Sequence, residues 1–347
     1  MTVLGWPAFD NKTGNPYTRL LYEAVERRGV SVADVSTARV LRGTADVLHV
    51  HWPEDALTYR SPVTAAAYVA LELALMAAAR VRGAALVWTI HDLTPHEAPH
   101  PGLAPLFWRG FLPMVDGYTT LTAHAAAAAR ARFPRLAARP GAVIPHGHYR
   151  PAYPAPTSRR RARAHWGLPP DGPVAAYVGR IRPYKNVPAL LAAFRQMDGD
   201  ARLLVAGAPR TPALGDRVAR AAAQDPRVRT CLRFVARAEM PFVLGAADLV
   251  VLPYEQVLHS GTALLALSFD RPVLVPRRGA LPELQAEVGP EWVRTYEGRL
   301  TPATLRAALR WARTTDRPDR APLADRDWGP LARDTVAFYR RVLRLAP

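Results

Sequence analysis

The chemistry-bearing side chains of this chain gather where its short apolar runs stop. ALVWTI is followed at once by His91 and Asp92, with His96 and Glu97 close behind, and HVHWPE places His51 and Glu54 after another such run. TAH and IPHGHY add His124, His146 and His148, and the loop FDNKTGNPY adds Asp10, Asn11 and Asn15. Imidazoles and carboxylates in this setting can take up or deliver a proton near neutral pH. The second half offers a different chemistry. GRIRPYKN puts Arg180 and Lys185 in a turn ahead of a helix, and HSGT puts Ser260, Gly261 and Thr262 ahead of another. Cations and free amides beside a helix N-terminus suit a diphosphate, and glycine lets the ligand approach closely. The plainer readings are a solvated basic turn and a serine N-cap.

The elements that must position these residues follow from the hydrophobic pattern. VLGW, VLHVHW, ALVWTIHD, GYTTLTAH and AVIPHG alternate with Ala/Leu-rich helical stretches, and after residue 163 the alternation restarts with VAAYVGR, RLLVAGAP, RTCLRFVA, ADLVVLPY and RPVLVPRRG. That predicts an α/β chain of two doubly wound domains in series. The Pro-, Ser- and Arg-rich segment from Arg150 to Arg163 reads as a linker between them. The expected domains are 1–155 and 165–325, with a helix over 326–347 returning to the first. Its Trp328, Leu331, Val336, Tyr339 and Val342 share one side. Ligands of such sheets sit beyond the carboxyl ends of the strands, where the polar residues above lie.

Composition narrows the class. With 347 residues and 49% apolar side chains the chain can bury two cores. Cys231 is its only cysteine, which excludes an internal disulfide framework and a cysteine-cluster metal site, and a reducing cytoplasm is the default. The net charge of +17 would suit an anionic partner, yet no nucleic-acid motif accompanies RRRARAHWGL, the densest basic patch. PVTAAAYVALELALMAAAR, from Pro62 to Arg80, is barely of membrane-spanning length and reads as a buried or half-buried helix. GLAPLFWRGFLPMV, from Gly102 to Val115, is expected to be either a surface for anionic membrane or a buried helix.

GRIRPYKN, followed later by a strand ending LPY and by SGTALLALSFDRPVLVPRRGALPEL, resembles the C-terminal half of nucleotide-sugar glycosyltransferases with the GT-B fold. The resemblance covers nearly the whole chain. It implies two Rossmann-like domains facing a cleft, acceptor-binding first and donor-binding second, with Arg180 and Lys185 on the donor diphosphate. In the large retaining family of this architecture, two glutamates follow the LPY strand. Aligned on Pro253 and Pro272, their places hold Val257 and Leu265. The frame is kept and the carboxylates are gone, with Glu255 a partial substitute.

TIHD, HVHWPE and NPYTRLLYEA resemble a bacterial subgroup acting in exopolysaccharide and glycoconjugate assembly, which includes β-mannosyltransferases. The superfamily resemblance puts His91 against the donor sugar; Glu255 and His259 are further donor-side candidates, and Asn15, Tyr17, His51 and Trp52 are acceptor-side candidates. His91, Asp92, Glu54 and Glu97 are the catalytic candidates. The expected reaction moves a hexosyl group from GDP-mannose first, a UDP-hexose next, to a hydroxyl of a glycan, lipid-linked or small-molecule acceptor. It needs no cofactor or bound metal, since cations and amides stabilise the leaving diphosphate, and loss of the glutamates favours inversion. Peripheral contact with an anionic inner membrane face fits a lipid-linked acceptor. A non-catalytic nucleotide-binding relic and a sugar-nucleotide epimerase or phosphorylase of the same fold are the alternatives.

Overall fold

The computed structural model describes residues 1–10, 14–93 and 99–345. The chain forms two compact units, Met1–Gly147 with Asp325–Pro347, and His148–Ala324. Each is built on a six-stranded, wholly parallel sheet.

In the first unit the strands are β1 (Thr2–Trp6), β2 (Ser31–Asp34), β3 (Val47–Val50), β4 (Ala85–Ile90), β5 (Gly117–Thr120) and β6 (Gly141–Val143). They lie in the order β2-β1-β3-β4-β5-β6. All residues of β3, β4 and β5 are buried, as a parallel sheet covered by helices on both faces requires. The connecting helices are α1 (Tyr17–Glu26), α2 (Thr37–Arg42), α3 (Pro62–Val81), α4 (Leu103–Phe111) and α5 (Ala123–Arg132). Ser36, Ser61 and Thr122 begin α2, α3 and α5 by accepting a backbone N–H bond from the third residue of each helix.

The second unit repeats the plan. Its strands are β7 (Val174–Val178), β8 (Arg202–Ala206), β9 (Val228–Cys231), β10 (Leu249–Val251), β11 (Val273–Pro276) and β12 (Val293–Tyr296). Their order is β12-β11-β10-β7-β8-β9. The helices are α6 (Arg159–His165), α7 (Val187–Arg195), α8 (Pro212–Ala223), α9 (Met240–Ala246), α10 (Gly261–Ser268), α11 (Leu281–Val288) and α12 (Pro302–Thr314). The last helix, α13 (Trp328–Leu345), belongs to the first unit and packs on α1 and β4. Trp328, Leu331, Val336, Tyr339 and Val342 are buried, as the one-sided pattern predicts. Two glycines make room for it, since a Cβ on Gly117 would stand 2.5 Å from Val342 and one on Gly147 2.4 Å from Trp328.

One sequence expectation changes and two are decided. The Arg150–Arg163 segment is not a loose linker, because its end is α6, packed on α9, and Arg163 is 1% exposed. The Arg163 guanidinium donates to the carbonyls of Ala246 (3.2 Å) and Pro170 (2.7 Å) and to Asp248 (2.9 Å), which also accepts from the Val174 amide (2.8 Å). The Gly102–Val115 aromatics are core: Phe107, Trp108 and Phe111 stack around Trp88. α3 is half-buried, with 22% of its most apolar stretch fully covered. It needs only one side to cover the sheet, so Val69, Met76 and Ala79 go inward and the rest stays out.

Removing the Arg163 side chain leaves Asp248 buried with its main charge partner gone. Arg163→Ala is expected to lower unfolding stability by about 3 kcal/mol in denaturant titration. Arg159→Ala removes a 53% exposed partner of the same carboxylate and is expected to cost under about 1 kcal/mol.

Candidate active site

The direction of chain travel reverses between β1 and β3 in the first sheet and between β7 and β10 in the second. The carboxyl ends of strands beside such a switch are splayed apart and form the natural ligand crevice of a doubly wound sheet. The candidate residues lie largely at these ends.

In the first unit the residues just after β1, Ala8 to Asp10, are held by a residue the motifs did not point to. The Asp34 carboxylate, at the end of β2, accepts N–H bonds from Ala8 (2.8 Å), Phe9 (3.1 Å) and Asp10 (3.2 Å). Just before α1, the Asn15 side-chain oxygen accepts from the Tyr17 amide (3.1 Å). Tyr17, 3% exposed, sits at the centre of a cage of rings. Its centroid is 5.0 Å from His91, 5.8 Å from His51, 4.6 Å from His146 and 5.7 Å from Trp328. Trp52 stacks on His91 at 4.3 Å. His146 donates from Nδ1 to the Gly147 carbonyl (2.7 Å). His124 is exposed on α5, and His148 falls in the second unit.

Behind His91 runs a chain of buried polar groups. His91 Nε2 is 3.1 Å from His51 Nδ1, and His51 Nε2 is 2.8 Å from the Tyr22 hydroxyl. Tyr339 on α13 stands close to Tyr22, and its hydroxyl is 2.6 Å from His49 Nδ1. His49 Nε2 is 2.7 Å from Thr89, which is 2.7 Å from Thr119. Burial pushes His49 down to about 3, and burial reinforced by His49 and His91 holds His51 well below the usual histidine range. Burial keeps the Tyr22 and Tyr339 hydroxyls protonated. A neutral imidazole has one N–H and one lone pair, so each ring must accept on one side and donate on the other. The polarity of the chain therefore sets which nitrogen of His91 carries the proton.

His51 is 0% exposed with both nitrogens engaged, so the expectation that it touches an acceptor gives way to a supporting place behind His91. The carboxylates also separate. Glu54 is 3% exposed, and burial first, then the charge of Asp92, holds it well above the usual carboxyl range. That favours its protonated form and argues against Glu54 as a general base. Asp92 is only half-buried. His96 and Glu97 lie outside the described residues, as does Asn11.

In the second unit the groups at the ends of β7 and β10 converge on Gly179. A Cβ on Gly179 would stand 3.3 Å from Thr262 Oγ1 and 3.6 Å from Lys185 Nζ. With φ of +115°, this backbone suits glycine. Gly207 at the end of β8 is the reason the strand ends fit, because a Cβ there would lie 1.9 Å from the Gly179 carbonyl oxygen. Lys185 lies over the Tyr254 ring at 5.5 Å. Ser260 caps α10, accepting from the Ala263 amide (3.1 Å), which leaves the N–H groups of Gly261 and Thr262 at the helix start, a position whose dipole favours negative charge.

Arg180, also beyond β7, is exposed. The loop before α10 is held by Glu255 N–H to the Tyr184 carbonyl (2.8 Å) and Ala280 N–H to the Leu258 carbonyl (2.9 Å). Gly279 admits that approach, since its Cβ would meet the Val257 carbonyl at 2.1 Å. Glu255 is exposed, His259 half-buried, and Leu265 buried in α10.

Residues 172–305 match the family described as glycosyl transferases group 1. Over 331 residues, 94% of this chain and 88% of the relative, the sequence is 34% identical to a GDP-mannose:glycolipid 4-beta-D-mannosyltransferase of Xanthomonas campestris pv. campestris. The chain belongs to the group 1 glycosyltransferases. The enzyme is also 36% identical, over 38% of its length and 31% of the relative's, to a D-inositol 3-phosphate glycosyltransferase of Mycolicibacterium smegmatis. Its fold is similar to sucrose-phosphate synthase from Thermosynechococcus elongatus (TM-score 0.69, 17% identity, 99% of each chain). It is also similar to Anabaena HepE solved with UDP-glucose (TM-score 0.64, 16% identity, 99% of each chain). Family membership sets aside the non-catalytic relic and confirms the GT-B architecture.

Sequence reasoning passed over Asp34, Tyr22, His49, Tyr339, Thr89, Gly179 and Gly207. One signal was available for His49, since HVH puts His49 and His51 on one face of a strand.

The buried imidazoles make stability pH-dependent in a definite sense. His49 binds a proton at about 6.5 when unfolded and only at about 3 when folded. Stability from keeping it neutral is therefore complete above pH 6.5 and lost as the pH falls. From pH 7 to pH 5, His49 is expected to contribute a loss of about 2 kcal/mol. Denaturant unfolding at the two pH values, in wild type and His49→Gln, checks this through a smaller pH difference in the variant.

Proposed function

We propose that the enzyme transfers mannose from GDP-mannose to a hydroxyl of a lipid-linked glycan, with inversion. The observation that carries this is the 34% identity, over 94% of the chain, to a GDP-mannose:glycolipid 4-beta-D-mannosyltransferase. The arrangement supports it. At the end of β7, Lys185, Arg180, Thr262 and the first amides of α10 neutralise the leaving diphosphate. Charge-assisted bonds and the helix dipole strengthen as negative charge develops on the bridging oxygen. Glu255 and His259 flank this loop on the nucleotide-sugar side.

In the first unit, His91 presents its ring to the donor sugar. Its tautomer is held by His51 and Tyr22, and its ring plane by Trp52 and Tyr17. Asp92 takes the acceptor proton as the hydroxyl attacks the anomeric carbon, and Asn15, Tyr17 and Trp52 line the acceptor side. Attack opposite the departing GDP on an α-configured donor gives a β-linkage. Glu54, whose burial favours the protonated form, takes no proton. A lipid-linked acceptor brings the enzyme to a membrane surface as a peripheral protein.

Three measurements test this reading. In a thermal-shift panel of GDP, UDP, ADP and dTDP, GDP is expected to raise the melting temperature most; an equal or larger shift with UDP would transfer the assignment to a UDP-hexose. Lys185→Ala is expected to lower kcat/KM by a hundredfold or more, about 3 kcal/mol of transition-state stabilisation. The two carboxyl groups should separate: Asp92→Asn loses about a hundredfold or more in kcat, whereas Glu54→Gln, which imitates a protonated acid, keeps activity within about tenfold. The opposite ranking would make Glu54 the base.

A further inference from the structure

α3 presents more apolar surface than its place in the sheet requires. Val63, Leu71 and Val81 are 77%, 51% and 86% exposed, and Ala67, Ala70, Ala74 and Ala77 lie exposed between them. From Pro62 to Ala79 the only acidic or basic side chain is Glu72. Burial, then the charge of Asp55, pushes its carboxyl up to about 8, so this stretch carries little charge at neutral pH. At the amino end of α3, Tyr59 and Tyr68 stack at 4.5 Å and are 40% and 42% exposed. Half-wet aromatic rings of this kind favour the boundary between hydrocarbon and water.

The surroundings are basic. Arg60 and Arg82 are exposed just outside the ends of the helix. α4 is tight against α3, since a Cβ on Gly110 would lie 3.0 Å from Leu73. Leu106 of α4 is 63% exposed. The other side of α4 borders a cavity of about 660 Å³, lined by Trp108, Leu112, Phe133 and three arginines, Arg109, Arg132 and Arg135. Among the described residues none of these three arginines is in an ion pair. The nearby carboxylate Asp116 is already paired with Arg80 at 2.7 Å.

We propose that this face is where the protein rests on an anionic phospholipid bilayer. The outer side of α3, with Leu106, sits at the headgroup boundary, and a lipid phosphate enters the cavity among Arg109, Arg132 and Arg135. Charge decides between the possible occupants of the face. A second copy of this chain would bring like-charged arginines together, whereas an anionic bilayer offers phosphate to the guanidiniums and hydrocarbon to the helix. The surface deepens the lipid-linked acceptor reading given above, but binding to vesicles needs neither donor nor acceptor, so either can fail without the other.

The test is flotation of the full chain with phosphatidylcholine vesicles and with vesicles that also contain phosphatidylglycerol. Binding is expected to the anionic vesicles, to weaken as salt rises, and to be at least about tenfold weaker on phosphatidylcholine, a loss of two or more arginine contacts. Arg109→Gln and Arg132→Gln are each expected to weaken it about fivefold. Leu71→Asp and Val81→Asp, at exposed positions, should weaken it at every salt concentration, with the melting temperature and its shift by GDP unchanged. Equal binding to both vesicle types, or wild-type binding by all four variants, overturns the proposal. So does a dimer in sedimentation equilibrium that Leu71→Asp dissociates, which would make the occupant a second copy.

Discussion

The hydroxyl of Tyr339 is the contact on which the first unit's site depends. It lies 2.6 Å from His49 and close to Tyr22, so a residue 290 positions downstream of His49 joins the buried polar groups behind His91. Without α13, His49 would be a buried polar group short of a partner at Nδ1, which the interior tolerates poorly. The final helix is thus a part of the site as well as a cover for the sheet. Its apolar side supplies the packing, and one phenol on that side supplies the polarity.

The second unit solves its problem with backbone instead of side chains. Gly207 and Gly179 let the ends of β8 and β7 touch, and this brings Lys185 and Thr262 to one spot beside the start of α10. A diphosphate needs donors fixed in advance, because reorganising them during the reaction would cost what they later contribute. Leu265, buried inside α10, shows why the missing glutamate leaves the frame intact: the position is filled by packing, and the helix start still offers its amides.

The two units also divide the basic character of the chain. Arg163 spends its charge internally on Asp248 and on carbonyls, so part of what reads as a basic patch is structural. Arg109, Arg132 and Arg135 instead line an open cavity beside an apolar helix. Net charge alone could not separate these uses, because an arginine's role depends on which carboxylates and carbonyls the fold brings to it.

The amino-acid order alone determined the alternation of strands and helices, the repeat of that plan after residue 163, and the placing of polar residues at strand ends. These are local consequences of hydrophobic period and of where apolar runs stop. It also carried the GRIRPYKN and HSGT turns, and the packing side of α13. Two short edge strands, β2 and β12, left too little apolar signal to read. Tertiary structure decided the rest. It buried His51 and Glu54 and raised the pKa of the Glu54 carboxyl, because desolvation depends on neighbours far away in sequence. It recruited Asp34, Tyr22 and Tyr339, whose types are unremarkable until the sheet order sets them beside the loop and the imidazoles. And it turned α3 outward and the Phe107, Trp108 and Phe111 aromatics inward, since composition says how apolar a helix is, while only its packing says which side still faces water.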